Sequence, residues 1–377
     1  MTTVAIPTET RPGERRVALT PDVVAKLTGL GLEVSVEAGA GVAANATDAE
    51  YRDAGATVID GSVLETADVV FTVNSLTVEQ LGRLKPGALL LSFLSPLSSL
   101  EKVAAARDGR VTWLSMELVP RISRAQSMDA LSSQALVAGY RCALVAADRL
   151  PKFFPLLMTA AGTIKPAQVV VLGAGVAGLQ AIATARRLGA VVQAYDVRAA
   201  AADEIRSMGA KFIDLDLDSL EGTGGYAREM NEDRAARQRE LLAPYIAAAD
   251  ALITTAAIPG RPAPMLVTRE MVEAMRPGSV VVDLAAESGG NVEGSVPGED
   301  ILVGGATVWG GSNVPSQMPA ASSRLYASNV VTLVKLMVKD GEVDIDFDDE
   351  IVDGACVTHA GEVRFAPARE ALEGGGQ

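Results

Sequence analysis

The chain has 377 residues, of which 49% are apolar and 21% charged, so it has material for two domains and is neither disordered nor fibrous. Its formal net charge is -14, and this acidity excludes nucleic acid and anionic membrane surfaces as favoured direct partners. The first residues lack the apolar segment of a signal peptide, and no run reaches about 18 uninterrupted apolar residues, so we expect a cytoplasmic chain without a membrane-spanning helix.

Short β-type runs alternate with amphipathic stretches over the first third of the chain. Residues 20–30 are typical of a helix, because Thr20 can serve as N-cap and Pro21 suits the first helical position. Strand–helix alternation with short connections indicates a parallel sheet covered on both faces. The predicted strands are 3–6, 33–37, 67–73, 88–93 and 111–115, and the predicted helices are 20–30, 48–54, 78–84 and 100–107.

A long helix is predicted over residues 131–153, and a second alternation follows it. We therefore predict an α/β fold of two Rossmann-like lobes with parallel sheets, separated by a cleft and joined by long helices. The first lobe combines residues 1–131 with about 315–377, and the second spans 132–314. The later predicted strands are 168–172, 191–196, 211–214, 251–255 and 279–283, followed by a helix at 322–339 and two short strands around Gly361.

The second alternation opens with a glycine pattern at a predicted strand-to-helix turn. Strand 168–172 is followed directly by Gly173, Gly175 and Gly178 in a G-x-G-x-x-G arrangement. The first glycine permits the sharp turn, the second lets a pyrophosphate approach the backbone, and the third lets the helix lie close to the sheet. The helix N-terminus adds unpaired N–H donors and a partial positive charge, so the pattern predicts a dinucleotide site.

An acidic residue stands at the end of the next predicted strand. Asp196 lies 18 residues after Gly178, and its carboxylate can accept hydrogen bonds from both hydroxyls of an adenosine ribose. A 2′-phosphate at the same place would meet like charge, so this residue favours NAD over NADP. Arg198 lies two residues later and could neutralise a phosphate, which leaves NADP as an open alternative.

The few cysteine and histidine residues point away from a metal site. Cys142 and Cys356 lack metal-ligand spacing, and we predict two reduced thiols. The single histidine, His359, excludes a multi-histidine centre, and its flanks predict a surface hairpin turn. We expect no bound metal.

Three further stretches carry a resemblance to a known family. They are RPGERRVALTP at residues 11–21, MELVPRISRAQSMDALSS at 116–133, and the run from TTAAIPGRPAP to ESGGN at 254–291. Together they resemble the family that unites alanine dehydrogenase with nicotinamide nucleotide transhydrogenase, and the resemblance covers nearly the whole chain. The segment GGYAREM at 224–230 is similar to that family's mobile loop, which closes over the nucleotide.

The resemblance implies a set of site residues. In the family's loop around the nicotinamide end of NAD(H), the matching residues are Arg121, Gln126 and Asp129, and with Tyr226 they form the expected catalytic group. An arginine can form charge-assisted bonds, an amide both donates and accepts, and the aspartate can orient the arginine. From the residues alone, the same run is an Arg/Asp-bearing turn that N-caps the next helix. The other implied cofactor contacts are Ile122, Ser123, Arg124, Ser132, Val176, Asp196, Val197, Arg198, Gly225, Gln238 and Ala257, beside Arg121, Gln126, Asp129, Tyr226 and the three glycines.

The function that the resemblance implies is the NAD(H)-binding component of a proton-translocating transhydrogenase. Hydride would pass directly between NAD(H) on this chain and NADP(H) on a partner subunit, and a membrane-spanning partner would couple the exchange to proton translocation. Such a transfer needs no general acid or base, only two positioned rings from which water is excluded. We accordingly expect a homodimer that is peripheral to the inner membrane through its partner subunits and active only with them.

Two alternatives remain. An alanine dehydrogenase-like enzyme needs proton-transfer groups, typically His and Lys. The family's histidine would fall within residues 91–97, which read LSFLSPL, and its lysine within 71–75, which read FTVNS, so only Arg15 and Arg16 remain. A stand-alone NAD(H)-binding module is the other alternative, and the absence of an NADP(H)-binding or membrane partner would favour it.

Overall fold

Two sheets rich in parallel strands organise the chain, and each belongs to its own compact unit. The computed structural model describes residues 2–217, 232–258 and 261–374. The first unit contains Met1–Gln134 and Ser316–Gln377, and the second contains Ala135–Pro315. The predicted fold class, α/β with two Rossmann-like sheets, is confirmed.

Strands and helices alternate through most of the described chain. The strands are β1 (Thr3–Ile6), β2 (Glu33–Glu37), β3 (Thr57–Ile59), β4 (Val69–Phe71), β5 (Leu89–Ser92), β6 (Thr112–Ser115), β7 (Leu157–Thr159), β8 (Gly162–Ile164), β9 (Gln168–Leu172), β10 (Val191–Tyr195), β11 (Lys211–Phe212), β12 (Ala251–Thr254), β13 (Val280–Asp283), β14 (Asp300–Val303), β15 (Ala306–Gly310), β16 (Val338–Lys339), β17 (Glu342–Val343), β18 (Cys356–His359) and β19 (Glu362–Val363). The helices are α1 (Pro21–Thr28), α2 (Asp48–Asp53), α3 (Val78–Leu81), α4 (Leu100–Asp108), α5 (Ala130–Arg149), α6 (Val176–Arg187), α7 (Ala201–Ser207), α8 (Glu232–Ala248), α9 (Arg269–Glu273), α10 (Pro319–Val334), α11 (Glu350–Ala355) and α12 (Ala366–Gly374).

The sheet of the first unit has a doubly wound order. Its parallel strands follow the sequence β3-β2-β1-β4-β5-β6, so the strand order reverses between β1 and β4. Such a reversal is a topological switch point, the place where ligands bind in open α/β sheets. β18 and β19 extend the sheet antiparallel beyond β6. Strands β4 and β5 are buried throughout, and they therefore read as continuous apolar runs instead of alternating ones.

The sheet of the second unit repeats this plan. Its parallel strands follow the order β11-β10-β9-β12-β13-β15, and β14 pairs antiparallel with β15 at the edge. The switch point lies between β9 and β12. Two apolar clusters of this unit, one containing Val169 and Val171 and the other Val170 and Leu172, show that both faces of β9 are covered.

Helix α5 has an unusual length and composition. Among the described residues, it is the one helix that matches a membrane span in length and apolar content, and half of its most apolar window is buried inside the protein. The sequence predicts it over residues 131–153, but it ends at Arg149. Pro151 explains the earlier end, because a proline disfavours helical geometry in the residue before it.

Several other predicted elements differ from the structure. The strand predicted at 211–214 is reduced to Lys211–Phe212, and the helix predicted at 322–339 ends at Val334. Strands β14 and β15 and helix α8 are absent from the prediction. In α8 the buried positions form a narrow stripe, Gln238, Leu242 and Ile246, which its many charged neighbours hide from a pattern search.

His359 is held more firmly than the predicted surface turn suggests. It ends β18, and the hairpin turn follows it. Its Nδ1 lies 3.0 Å from Oγ1 of Thr112, and its ring meets the edge of Phe347 with centroids 4.8 Å apart. Both cysteines are free and buried. Within the described part of the chain, no three His, Cys, Asp or Glu side chains are grouped to hold a metal ion.

Candidate functional site

The glycine turn connects β9 to α6 at the switch point of the second unit. Gly173 has φ +91°, a conformation that side chains rarely adopt, and a Cβ there would lie 2.9 Å from the backbone nitrogen of Ala256. A Cβ on Gly178 would lie 1.9 Å from the carbonyl oxygen of Gly173. Two of the three glycines are therefore required by the close packing of strand, turn and helix.

Gly175 differs, because it is exposed and a Cβ on it would meet no atom within 4 Å. It occupies the N-cap position of α6, and no side chain caps this helix. The first N–H groups of a helix have no acceptor inside the helix, and the helix dipole favours negative charge at this end. The open backbone around Gly175 therefore fits the pyrophosphate of a dinucleotide.

Asp196 lies beside the turn, immediately after β10. Its Oδ2 accepts a hydrogen bond from the backbone N–H of Ala174 at 2.7 Å, which ties the carboxylate to the turn itself. Its two oxygens also accept from Nε and Nη2 of Arg198 at 2.9 and 3.1 Å. Arg198, which in the sequence leaves NADP as an alternative nucleotide, is thus paired with Asp196, the residue that favours NAD.

The other residues implied for this site lie in different environments. Val176 and Ala257 are exposed at the carboxyl edge of the sheet, and Val197 is half-buried. Gln238 is only 1% exposed, and its Oε1 accepts a hydrogen bond from the hydroxyl of Tyr195 at 3.1 Å. Burial raises the pKa of Tyr195 to about 12. Gln238 is therefore a buried partner of Tyr195, the last residue of β10. Gly225 and Tyr226 lie outside the described residues.

Sequence reasoning missed a buried polar group under the edge of the second sheet. Asp283, which is fully buried, accepts a hydrogen bond from Oγ1 of Thr254 at 3.0 Å and from the backbone N–H of Asn291. The side chain of Asn291 in turn binds both the N–H and the carbonyl of Ala256, at 3.0 and 2.8 Å. This pair fixes the loop after β12 against Gly173. The sequence signal for this group is an Asp at the end of a buried strand, because a buried carboxylate needs hydrogen-bond partners.

The loop implied to surround the nicotinamide forms a 3₁₀ helix, Ser123–Met128, in the first unit. A 3₁₀ helix has three residues per turn, so side chains three apart share a row. One row holds Ala125 and Met128, which are buried in the core of the unit. Another row holds Ser123 and Gln126, which are both exposed, and Asp129 follows in the same register. The loop therefore buries one row and presents another to its surroundings.

Other loop residues are engaged in contacts of the fold. Asp129 accepts hydrogen bonds from the backbone N–H and the hydroxyl of Ser132 at 2.8 and 2.6 Å, so it N-caps α5 as the residues alone suggest. Arg124 donates through both terminal nitrogens to Asp349, each at 2.7 Å. Arg121 is exposed, and Ile122 packs partly against the core. Arg124 thus acts here as a tether of the loop.

At the switch point of the first unit, polar side chains bind each other. Glu9, which follows β1, accepts hydrogen bonds at its Oε2 from the backbone N–H and the Nδ2 of Asn74, at 3.1 and 2.9 Å. The same Nδ2 donates to Glu14 at 2.9 Å. Glu14 also accepts from Nε and Nη2 of Arg16 at 2.8 and 2.7 Å, and Arg16 is only 6% exposed.

These contacts shift the titration of both carboxyls. Burial by itself would raise the pKa of Glu14, but hydrogen bonds and charge from Arg16, with help from Asn74, lower it to about 2. Burial raises the pKa of Glu9, and the hydrogen bonds from Asn74 and Val73 only partly oppose it. The arginine that sequence reasoning left available is thus neutralised by Glu14.

A cavity of about 440 Å³ lies next to this cluster. Its lining includes Glu9, Asn74, Ser95 and, from α4, Lys102. Lys102 donates to the hydroxyl of Ser75 at 2.8 Å. A lysine therefore reaches the segment 71–75, which contains no lysine of its own. Only the tertiary structure reveals this, because Lys102 lies 27 residues from Ser75.

Comparison with protein families matches both halves of the chain. The alanine dehydrogenase/PNT N-terminal domain matches residues 5–138, and the C-terminal domain of the same family matches residues 142–366. The two matches together leave only the ends and a short connection uncovered.

Individual relatives include both branches of that family. The chain is 48% identical over 372 residues to the first part of NAD(P) transhydrogenase subunit alpha of Rhodospirillum rubrum, covering 96% of this chain and 97% of the relative. It is 35% identical over 299 residues to alanine dehydrogenase of Mycobacterium tuberculosis, covering 78% and 75%. The crystal structure of transhydrogenase from Sinorhizobium meliloti superposes with a TM-score of 0.85 at 45% identity, covering 96% of this chain and 98% of that one.

Proposed function

The chain belongs to the alanine dehydrogenase/PNT family, and from this premise we propose that it is the NAD(H)-binding component of a proton-translocating transhydrogenase. Hydride passes between NAD(H) on this chain and NADP(H) on a partner subunit. A membrane-spanning partner couples that exchange to proton translocation. The similarity to the R. rubrum subunit, which extends over 96% of this chain, supports this assignment.

One observation carries the nucleotide-binding side of the proposal. At the switch point of the second unit, Gly175 is exposed with open space around it, and the carboxylate of Asp196 lies against the same turn. The backbone and helix N-terminus suit the pyrophosphate, and the carboxylate suits the ribose hydroxyls. Asp196 also repels a 2′-phosphate, so we propose NAD(H) as the nucleotide of this chain.

The chemistry asked of the protein is positioning. A bound nicotinamide ring supplies or accepts the hydride, and the transfer requires no proton from a side chain. Gln126 and Arg121 are exposed polar groups of the loop, suited to the carboxamide and ribose of the nicotinamide end. Asp129 keeps the start of α5 in place by capping it. We propose Tyr226, by resemblance alone, as a further member of this group.

The first unit supports a transhydrogenase over an amino-acid dehydrogenase. A dehydrogenase of this plan would need a cation for the substrate carboxylate and groups for proton transfer. Here Arg16 is buried and bound to Glu14, and Asn74 and Ser95 stand in the segments where the family's lysine and histidine would fall. Two cations that line this cavity, Arg11 and Lys102, favour the alternative and motivate an assay with alanine.

The partners follow from the same proposal. We propose a homodimer that is cytoplasmic and held at the membrane by NADP(H)-binding and membrane-spanning subunits. The hairpin of β7 and β8 supports the dimer, because large apolar side chains lie on it or just before it. Met158 is 76% exposed, and Phe153, Leu156 and Ile164 are exposed as well. Exposed apolar groups that cluster in this way usually mark a contact surface.

The decisive assay mixes the purified chain with an NADP(H)-binding transhydrogenase subunit. NADPH and an NAD analogue of distinct absorbance are then added, and reduction of the analogue is followed. We expect reduction only when both proteins are present. The control incubates the chain alone with alanine and NAD, and NADH formation there would contradict the proposal in favour of a dehydrogenase.

A variant addresses the nicotinamide loop. Gln126→Ala should slow hydride transfer in the mixed complex more than it weakens NADH binding, since the amide is proposed to act on the reacting end of the nucleotide. Calorimetry with NADH supplies the binding measurement. Equal transfer rates for the wild type and Gln126→Ala would remove this residue from the mechanism.

A further inference from the structure

A buried asparagine connects the nicotinamide loop to the core of the first unit. Asn329 lies on α10, and its side chain has one contact on each side of Asp129. Its Nδ2 donates to the carbonyl of Ser127 at 2.8 Å, and its Oδ1 accepts from the hydroxyl of Ser133 at 2.7 Å. The amide is only 7% exposed, so these contacts form away from bulk water. One side chain therefore holds both the end of the 3₁₀ helix and the start of α5.

This contact belongs to a longer path of hydrogen bonds. Nε2 of Gln134 donates to the hydroxyl of Ser133 at 3.3 Å and to the carbonyl of Ser322 at 3.1 Å. Oε1 of Gln134 accepts from Nη1 of Arg16 at 2.9 Å, and Arg16 is bound to Glu14. All of these residues lie in the first unit. The polar cluster at the switch point of the first unit and the nicotinamide loop are thus joined by one network of polar side chains.

The loop needs such a network because apolar packing alone fixes it incompletely. Ala125 and Met128 bury one row of the 3₁₀ helix, but hydrophobic contact is not directional. Hydrogen bonds are directional, and those at Ser127 and at Ser133 bracket Asp129. The amide contacts, together with the bonds from Arg124 to Asp349, therefore restrict the orientation of the segment that carries Gln126.

We propose that Asn329 and Gln134 are positioning residues for hydride transfer, acting through the loop that carries Gln126 and Asp129. The inference rests on the proposed function and deepens it. Under this proposal, Arg16 does not bind a substrate; it is the buried cation that connects the network to Glu14. A displacement of about 1 Å in a reacting group can cost on the order of a hundredfold in rate, so small shifts of the loop are expected to be visible.

The test compares two variants that each lose one buried donor to a backbone carbonyl. Asn329→Ala loses the bonds to Ser127 and Ser133, and Thr358→Val loses the bond from Oγ1 of Thr358 to the carbonyl of Val111, which is 2.9 Å long and lies in the same unit. Each is mixed with the NADP(H)-binding partner for single-turnover hydride transfer. Calorimetry with NADH and urea unfolding are measured on the same samples.

We expect Asn329→Ala to transfer hydride at least about tenfold more slowly, with NADH affinity changed by less than about threefold. Thr358→Val, which loses one bond and nearly keeps the side-chain volume, should lose less stability than Asn329→Ala and keep the wild-type rate. Equal rates for the two variants, or a rate loss matched by an equal loss of NADH affinity, would overturn the inference while leaving the proposed function intact. No transfer by the wild-type complex would instead overturn the proposed function itself.

A milder variant covers the case in which Asn329→Ala does not fold. Ser133→Ala removes the hydroxyl that joins Asn329 to Gln134 and leaves the bond to Ser127 in place. We expect a rate about threefold below wild type, since the path is interrupted but not removed. A Ser133→Ala rate indistinguishable from that of Thr358→Val would count against the network.

Discussion

Each unit has a topological switch point, and the two points carry different groups. In the second unit, between β9 and β12, the backbone at Gly175 is exposed and no side chain caps α6. In the first unit, between β1 and β4, the side chains of Glu9, Asn74 and Glu14 bind one another. The first turn of α6 has no side-chain cap in the second unit, whereas the polar side chains at the first unit's switch point bind one another.

This difference teaches that strand order alone does not make a ligand site. A doubly wound sheet brings the ends of its central strands together, and the residues placed there decide the outcome. Glycines leave backbone N–H groups open to an anion. Paired carboxylates and a neutralised arginine instead stabilise the fold, because buried polar groups need partners. Substitutions at the two edges should accordingly affect different properties.

The largest expected effect is on stability, at the switch point of the first unit. Glu14→Gln should lower the free energy of unfolding by about 3–5 kcal/mol, because it removes the charge paired with the buried Arg16. Urea unfolding at neutral pH measures the change. The control is Glu65→Gln, which breaks the exposed ion pair with Arg83 and should cost less than about 1 kcal/mol. Similar losses in both variants would contradict a stabilising role for the pair of Glu14 and Arg16.

The same variant predicts a pH dependence. The pKa of Glu14 falls from 4.5 to about 2 in the folded chain, so its stabilising contribution is complete above the unfolded value and is lost as the pH falls towards the folded value. The stability gap between wild type and Glu14→Gln should therefore narrow from about pH 5 to about pH 2. Glu9 has a raised pKa, which acts in the opposite direction; its largest cause, burial, is common to both proteins, and only the smaller contribution from the charge of Glu14 is lost in the variant. A difference in unfolding free energy that stays constant over this pH range would contradict the lowered pKa of Glu14.

Next in size is an overpacked glycine at the open edge. Gly178→Ala places a Cβ 1.9 Å from the carbonyl oxygen of Gly173, so strand and helix must separate. We expect a loss of about 1–3 kcal/mol in stability together with loss of NADH binding. Urea unfolding and calorimetry measure the two effects. A variant of wild-type stability that binds NADH normally would show that the close approach is not required.

The next prediction concerns nucleotide choice. Asp196→Ala should weaken NADH binding by about 1.5–3 kcal/mol, because the ribose loses a charged acceptor. It also frees Arg198 from its carboxylate partner at 2.9 Å, so the affinity for NADPH relative to NADH should rise. The matched control is Asp203→Ala, which removes an exposed carboxylate paired with Arg206 in the same unit. Unchanged discrimination in Asp196→Ala would separate this residue from the choice of nucleotide.

The smallest expected change in the fold comes from the open glycine. Gly175→Ala adds a Cβ that meets no protein atom, so the unfolding free energy should change by less than about 1 kcal/mol. NADH affinity should still fall by about tenfold, since the methyl group lies where the pyrophosphate approaches. Calorimetry and urea unfolding distinguish this result from that of Gly178→Ala. Parallel losses of stability in both variants would remove the distinction between the two glycines.

The local sequence pattern predicts much of the fold. Strands such as β1, β2 and β9 were predicted with their observed bounds, because short apolar runs between turn residues have few alternatives. Helix α8 was missed because its buried stripe is narrow, and β14 because an edge strand with exposed Leu302 has no clear alternation. Edges and narrow stripes depend on their neighbours more than on their own sequence.

The site divides along the same line. The glycine turn and Asp196 are contiguous signals, and the fold brings them together as their spacing predicts. Gln238, which the resemblance implies as a cofactor contact, is buried and accepts a hydrogen bond from Tyr195, and its role at the cofactor stays a prediction. Asn291, Asn329 and Lys102 receive no role in the sequence, because the partners of their side chains cited here lie 27 or more residues away and nothing in their local sequence marks them.

The order of residues by itself determined the fold class, the dinucleotide turn and the resemblance to the family. These rest on local periodicity, on backbone conformations that only glycine adopts readily, and on contiguous motifs. Tertiary structure alone decided which polar groups stay open and which are satisfied. That choice arises when distant segments bury carboxylates, amides and an arginine together, since a buried polar group is stable only with partners that the local sequence does not contain.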